Sequence, residues 1–174
     1  MLKLEDYVIS IPDFPEPGII FRDLTGVLDD ADAFHEAIDR MCDVTSDLDY
    51  DLVVGAESRG FIMGSPIAYK NHKPFVLVRK KGKLPRETIS EKYELEYGTA
   101  EIEIHKDAIK PGQKVLLVDD LLATGGTLDA AVKLVEQAGG IVAGIVVLIE
   151  LAGLEGRKKI GDYRVDACIV YPGK

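Results

Sequence analysis

Strand and helix signals alternate along this 174-residue chain, and that alternation predicts an α/β fold: a mainly parallel, twisted sheet flanked by helices. Two observations carry the expectation. Apolar β-type runs recur at residues 51 to 56 (DLVVGA), 74 to 79 (PFVLVR), 113 to 118, 141 to 149 (IVAGIVVLI) and 165 to 171 (VDACIVY). Leu116, Leu117 and Val118 are apolar without a break, as in a strand buried on both faces, and helical periodicity falls between such runs. Ligands in such a fold are expected at the carboxyl ends of the strands.

Each element follows in order. Residues 1 to 30 read as an N-terminal cap: in 10 to 29, Pro12, Pro15, Pro17 and Gly18 forbid regular structure, while Ile19, Ile20 and Phe21 need somewhere to pack. Residues 31 to 45 and 61 to 70 are expected helices. A third spans 127 to 138, with Leu128, Ala131, Val132, Leu134 and Val135 on one apolar face. The excursion from Arg79 to Lys114 breaks the alternation. There, YELEY and AEIEI alternate apolar and polar residues around Gly98-Thr99, as in a two-stranded hairpin. With Glu94, Glu96, Glu101 and Glu103 on what reads as an exposed face, this hairpin is expected to form a flexible arm over residues 80 to 112 that contributes little core.

Composition bounds the function. The length suits a single domain, 1 to 174, and 47% hydrophobic residues suffice to fill its core. No stretch approaches eighteen uncharged apolar residues, and Glu5 and Asp6 stand where a signal peptide is apolar, so no membrane association and a cytoplasmic location are expected. Cys42 and Cys168 lack metal or redox spacing and read as two buried thiols; His35, His72 and His105 are isolated. A net charge of −9 argues against nucleic acid as a partner. Any phosphate must be drawn locally, and Arg79, Lys80, Lys81, Lys83 and Arg86 offer a cluster to do it, unless they form only a solvated basic surface.

The most informative segment is VLLVDDLLATGGT, residues 115 to 127. A buried strand delivers Asp119 and Asp120 to its carboxyl end. Ala123, Thr124, Gly125 and Gly126 then leave the backbone bare enough for its N–H groups to reach an anion, with Thr127 as N-cap of the next helix. There is no GxxxxGK[ST] and no GxGxxG after a strand, so the common nucleotide-phosphate motifs are excluded. The residues alone leave two readings open: a cradle for a phosphorylated, hydroxyl-rich ligand, or a tight turn whose aspartates cap local N–H groups.

Taken whole, this run resembles the phosphoribosyl-diphosphate (PRPP) motif of type I phosphoribosyltransferases. The resemblance extends through PDFPEPGIIFRDLT, GAESRGF and VRKKGKLPRETISEKYELEYG, and these segments together are similar to the adenine branch of that family. It implies the type I fold with cap and arm, and transfer of the 5-phosphoribosyl group from PRPP to N9 of adenine, giving AMP and diphosphate. Mg²⁺ is implied as cofactor, bound through the diphosphate and ribose hydroxyls rather than by a protein metal site. A homodimer is implied too.

The implied roles can be placed on this sequence. Ala123 to Thr127 would hold the 5′-phosphate, and Asp119 and Asp120 would face the 2′- and 3′-hydroxyls. Arg79, Lys80 and Lys83 would meet the diphosphate, with backbone groups of Ala56, Glu57 and Ser58. Glu96 would manage the N9 proton, and Tyr97 would pack over the substrate. The backbone near Ile20, together with Arg59 and Leu151, would receive the base. Two alternatives are another nucleobase as acceptor, and a non-catalytic PRPP-sensing regulator. The regulator would need a DNA-binding element, and neither a basic recognition helix nor spare length before the cap is evident.

Overall fold

A computed structural model describes residues 2 to 95 and 98 to 173. Seven strands form the central sheet in the order β5-β6-β4-β3-β7-β8-β9. These are β3 (Leu52–Ala56), β4 (Phe75–Lys80), β5 (Thr88–Leu95), β6 (Gly98–His105), β7 (Lys114–Leu122), β8 (Ile141–Leu151) and β9 (Val165–Tyr171). The five strands from β4 to β9 pair in parallel, and the β5–β6 hairpin adds an antiparallel edge. Every residue of β3 is buried, as are Val115 to Val118 of β7, so the unbroken apolar runs mark strands covered on both faces.

Alternation along the strands divides the core in two. Leu116 and Val118 point to the layer of α2 (Ala31–Val44) and α3 (Arg59–Lys70), packing with Ala33, Met41, Met63 and Ile67. Val115 and Leu117 point to the opposite layer, where α4 (Gly126–Gln137) supplies Leu128, Ala131, Val132, Leu134 and Val135. The helix α2 starts where the side chain of Asp30 accepts a hydrogen bond from the Ala33 N–H, an N-cap bond at 2.9 Å.

The cap departs from the expected irregularity. Residues Ile9–Pro12 (β1) and Ile20–Asp23 (β2) form a two-stranded antiparallel ribbon, followed by the short helix α1 (Thr25–Leu28). Its prolines gather at the last residue of β1 and in the turn beyond it, where they interrupt no central ladder, and Asp13 Oδ1 accepts the Gly18 N–H at 2.9 Å to close the turn.

The hairpin departs further. Its strands pair from Thr88↔His105 to Leu95↔Gly98, and β6 joins β4 at Arg79↔Glu103 and Lys80↔Ile102. Ile102 and Ile104 are buried in the α4-side cluster, against which Ile89 and Tyr93 also pack, so the hairpin is a structural edge of the core. Glu103, expected on an exposed face, is only 2% exposed. The alternating pattern correctly signalled strands, but which face meets α4 is decided by tertiary packing. Accordingly, Ile104→Ala is expected to destabilise the protein by about 2–5 kcal/mol in denaturant titration, as for other fully buried aliphatic truncations. A loss below about 1 kcal/mol would mean the hairpin is not part of the cooperative core.

Candidate active site

Strand order reverses direction between β3 and β7: the chain runs from β3 to β4 on one side and from β7 to β8 on the other. Loops at the carboxyl ends of these strands diverge there and leave a crevice. A cleft of about 610 Å³ occupies it, lined by Glu57, Ser58 and Arg59 after β3, Lys80 and Lys83 at and after β4, and Asp119 through Leu128. The Glu57–Ser58 peptide is cis.

The acidic pair lies within β7, which continues through Leu122, and not at its end as expected. Asp119 Oδ1 accepts the Asp120 N–H at 2.8 Å. Burial and the adjacent Asp120 carboxylate raise the pKa of Asp119 well above its ordinary value of 3.8. Asp120 is 4% exposed, and its Oδ2 lies 2.9 Å from Arg59 Nε. That proximity is ionic only: among the described residues no hydrogen bond is directed at this buried oxygen. The pair therefore carries unmet acceptor capacity facing a polar cleft.

Beyond it the chain turns into α4. The N-cap is Gly125, in the left-handed region at φ 89°, and Thr127 lies in the first turn of the helix instead of capping it. No side chain caps this end, so the first N–H groups of α4 remain available to an anion. Thr127 Oγ1 is 3.3 Å from the Tyr93 hydroxyl, which ties the hairpin to the cradle. Behind the cradle stands the short helix α5 (Gly156–Ile160), whose Gly156 carbonyl oxygen lies 2.6 Å from where a Cβ on Gly125 would be. Its Arg157 forks onto the 6% exposed Glu150 through Nε and Nη2, both at 2.9 Å, and also donates to the Val165 carbonyl at 2.7 Å.

Opposite the acidic pair, the basic residues separate. Lys80 and Lys83 line the cleft, whereas Arg79 is outside its lining and binds Glu57 Oε1 through Nε and Nη2 at 2.9 and 2.7 Å. The Lys80 N–H donates to the other oxygen of Glu57 at 3.1 Å. Burial opposes ionisation of Glu57, but this N–H and the Arg79 guanidinium outweigh it and hold the carboxyl below its usual value.

Of the residues expected from sequence, Asp119, Asp120, Ala123 to Thr127, Glu57, Ser58, Arg59, Lys80 and Lys83 converge on one cleft. Ile20, on the partly exposed ribbon, and Leu151, buried at the end of β8, are not among its lining residues. Glu96 and Tyr97 lie outside the described residues. Sequence reading missed Tyr93, Glu103 and the Glu150–Arg157 pair as parts of the site's support.

Comparison with known proteins agrees with this geometry. Residues 28–172 match the phosphoribosyl transferase domain. The adenine phosphoribosyltransferase of Agathobacter rectalis is 61% identical over the whole of both chains, and that of Thermotoga neapolitana is 55% identical over 98% of this chain and all of its own. Among solved structures, adenine phosphoribosyltransferase from Thermoanaerobacter pseudethanolicus superposes with a TM-score of 0.93 at 50% identity, covering 97% of this chain and all of that one. The Saccharomyces cerevisiae enzyme, solved with adenine and an imino-altritol bisphosphate, superposes at 0.89 with 37% identity, covering 95% of this chain and 96% of its own. A cleft that sets an acidic pair beside an uncapped helix start, in a chain so closely similar to these enzymes, places the protein in the phosphoribosyltransferase family, on its adenine branch.

Proposed function

We propose that this cleft transfers the 5-phosphoribosyl group from PRPP to N9 of adenine, with the roles divided between its two walls. The observation that carries the division is the meeting of an acidic edge with unmet hydrogen-bond acceptor capacity and a bare helix start on one wall with Lys80 and Lys83 on the other. The cradle from Ala123 to Thr127 receives the 5′-phosphate through backbone N–H groups and the Thr127 hydroxyl. Asp119 and Asp120 accept from the ribose hydroxyls and stabilise positive charge as it grows on the ring. Lys80 and Lys83 offset negative charge on the departing diphosphate, and Arg79 acts through Glu57 to hold that side in place.

As the C1′–oxygen bond of the diphosphate breaks, the N9 lone pair forms the new bond at C1′ and the N9 proton must leave. Glu96 is the proposed acceptor and Tyr97 the proposed cover, on the resemblance of LEYG to its relatives. The base is assigned to the backbone at Ile20 with Arg59 and Leu151 on the same grounds.

The donor set suits a substrate-borne Mg²⁺. The acidic pair faces the cleft with acceptor capacity to spare, which suits hydrogen bonds from ribose hydroxyls that would themselves hold the ion together with the diphosphate. When bound, the ion supplies counter-charge to the leaving group.

We further propose a homodimer. It is supported by an apolar groove of about 650 Å³ between α2 and α3, where Phe34, Ile38 and Pro66 lie beside Tyr69, which is 90% exposed. Sedimentation of a single species at monomer mass across micromolar concentrations would overturn it. A cytoplasmic location is proposed on the free thiols, both held inert: burial raises the pKa of Cys42 and pushes that of Cys168 up to about 12. No helix of the described residues is long and apolar enough to cross a membrane.

The deciding experiment incubates the protein with Mg²⁺, PRPP and each nucleobase in turn while diphosphate release is recorded. Adenine is expected to exceed hypoxanthine by at least about a hundredfold in kcat/KM, because a 6-oxo edge leaves two backbone groups mismatched once the bound base covers them. Values within about tenfold of each other would overturn the backbone readout of the base.

A further inference from the structure

We propose that Glu103 is a positioning residue for the diphosphate side of the reaction, acting through the loop that carries Lys83. Glu103 is a charged residue buried on β6, on the face opposite Ile102 and Ile104. Its carboxylate faces the segment from Lys80 to Thr88. Oε1 accepts the Gly82 N–H at 3.1 Å and the Leu84 N–H at 3.0 Å, while Oε2 accepts the Thr88 hydroxyl at 3.2 Å. Gly82 and Leu84 are the two neighbours of Lys83, so a single oxygen grips the backbone on both sides of a lysine that lines the cleft.

The grip has a physical consequence. Lys83 sits in a tight turn, its N–H bonded to the Lys80 carbonyl at 3.2 Å and Gly82 at φ 88°. Such a turn on an open loop leaves a long, flexible side chain with many placements, and each adds to the entropy lost on binding an anion. A buried carboxylate holding three donors removes that freedom beforehand. Lys81 is tied separately, its N–H to the Glu101 carbonyl at 3.0 Å and its ammonium 3.6 Å from the Glu101 carboxylate. Glu101 and Glu103 therefore divide the loop between them, and it is Glu103 that holds both backbone neighbours of Lys83.

The inference rests on the assignment of Lys83 to diphosphate, and its test separates the two. Inorganic diphosphate with Mg²⁺, and ribose 5-phosphate, are titrated calorimetrically into wild type, Lys83→Ala, Glu103→Ala, Glu103→Asp and Glu103→Gln. A lysine and loop that must be ordered on binding give up affinity to that lost freedom, so diphosphate affinity is expected to fall about tenfold in Glu103→Ala and Glu103→Asp. Ribose 5-phosphate, held by the cradle, is expected to stay within about twofold. The amide of Glu103→Gln can still accept both N–H groups and donate to Thr88, so it is expected to restore diphosphate affinity to within about threefold.

Should Glu103→Ala fail to fold, the shorter carboxylate of Glu103→Asp carries the same comparison. Equal losses for both ligands, unchanged diphosphate binding in Glu103→Asp, or a Gln variant as weak as the Asp variant would each overturn the proposal. If Lys83→Ala leaves diphosphate affinity intact, the lysine assignment falls and takes the proposal with it. If Lys83→Ala weakens diphosphate and Glu103→Asp does not, the positioning role alone is lost.

Discussion

Asp119→Asn is expected to lower kcat by more than about tenfold while raising the thermal midpoint of the ligand-free protein at neutral pH. The two effects have one origin. Burial and the neighbouring Asp120 carboxylate raise the pKa of Asp119, so the fold favours its protonated form and ionisation opposes folding. The sign follows from proton counting. Between the ordinary carboxylate value and the raised value, the folded protein holds a proton that the unfolded chain has released, so stability falls as pH rises through that window. Asparagine keeps an oxygen to accept the Asp120 N–H but carries no charge, so it escapes this penalty. Its advantage in Tm is therefore expected to grow as pH rises above the ordinary carboxylate value in calorimetric scans. A variant less stable than wild type at neutral pH would show Asp119 to be a structural cap and not a charge held for the transition state.

Gly125→Ala is expected to abolish most binding of the 5′-phosphate, with ribose 5-phosphate affinity falling by more than about a hundredfold. At φ 89° an L side chain is strained by about 1–2 kcal/mol before any contact is counted. The added Cβ would also stand 2.6 Å from the Gly156 carbonyl oxygen and 3.2 Å from Lys159 Cβ. Backbone at that distance cannot rotate away, so the cradle itself must move, and α5 is held by the Arg157 fork onto Glu150. The neighbouring glycine provides the control. A Cβ on Gly126 meets the Tyr93 ring at 3.4 Å and the Glu94 carbonyl oxygen at 3.9 Å, both ordinary contacts, so Gly126→Ala is expected to bind within about threefold of wild type. Equal effects at the two positions would mean that the cradle is not shaped by the packing of α5.

The parallel sheet, the three long helices α2, α3 and α4 and most polar residues of the cleft lining were legible in the chain, because each depends on short-range pattern. Strands buried on both faces must be continuously apolar, as in LVVGA and VLLV, and helices against them must show an apolar face. An acidic pair and a small-residue turn within thirteen residues are local chemistry. Pattern over a few residues also misled in places. Prolines at 12, 15 and 17 hid a ribbon whose pairing spans the turn they form, and the threonine that reads as an N-cap sits in the first turn of a helix capped by Gly125.

What only the tertiary structure decided concerns charged residues whose surroundings come from distant parts of the chain. Glu101 and Glu103 stand two apart in an alternating strand and look alike in sequence. Loop residues from 82 to 88 fold over Glu103 and leave it 2% exposed, so that a residue read as solvated became a support for Lys83. Arg79 and Lys80 are adjacent in a basic run, yet pairing with Glu57, 22 positions earlier, removes the first from the cleft lining and leaves the second in it. The physical reason is common to both cases. Apolar burial follows from the chain's own periodicity, whereas a charge is buried only where partners from elsewhere in the fold satisfy it, and those partners are named by topology.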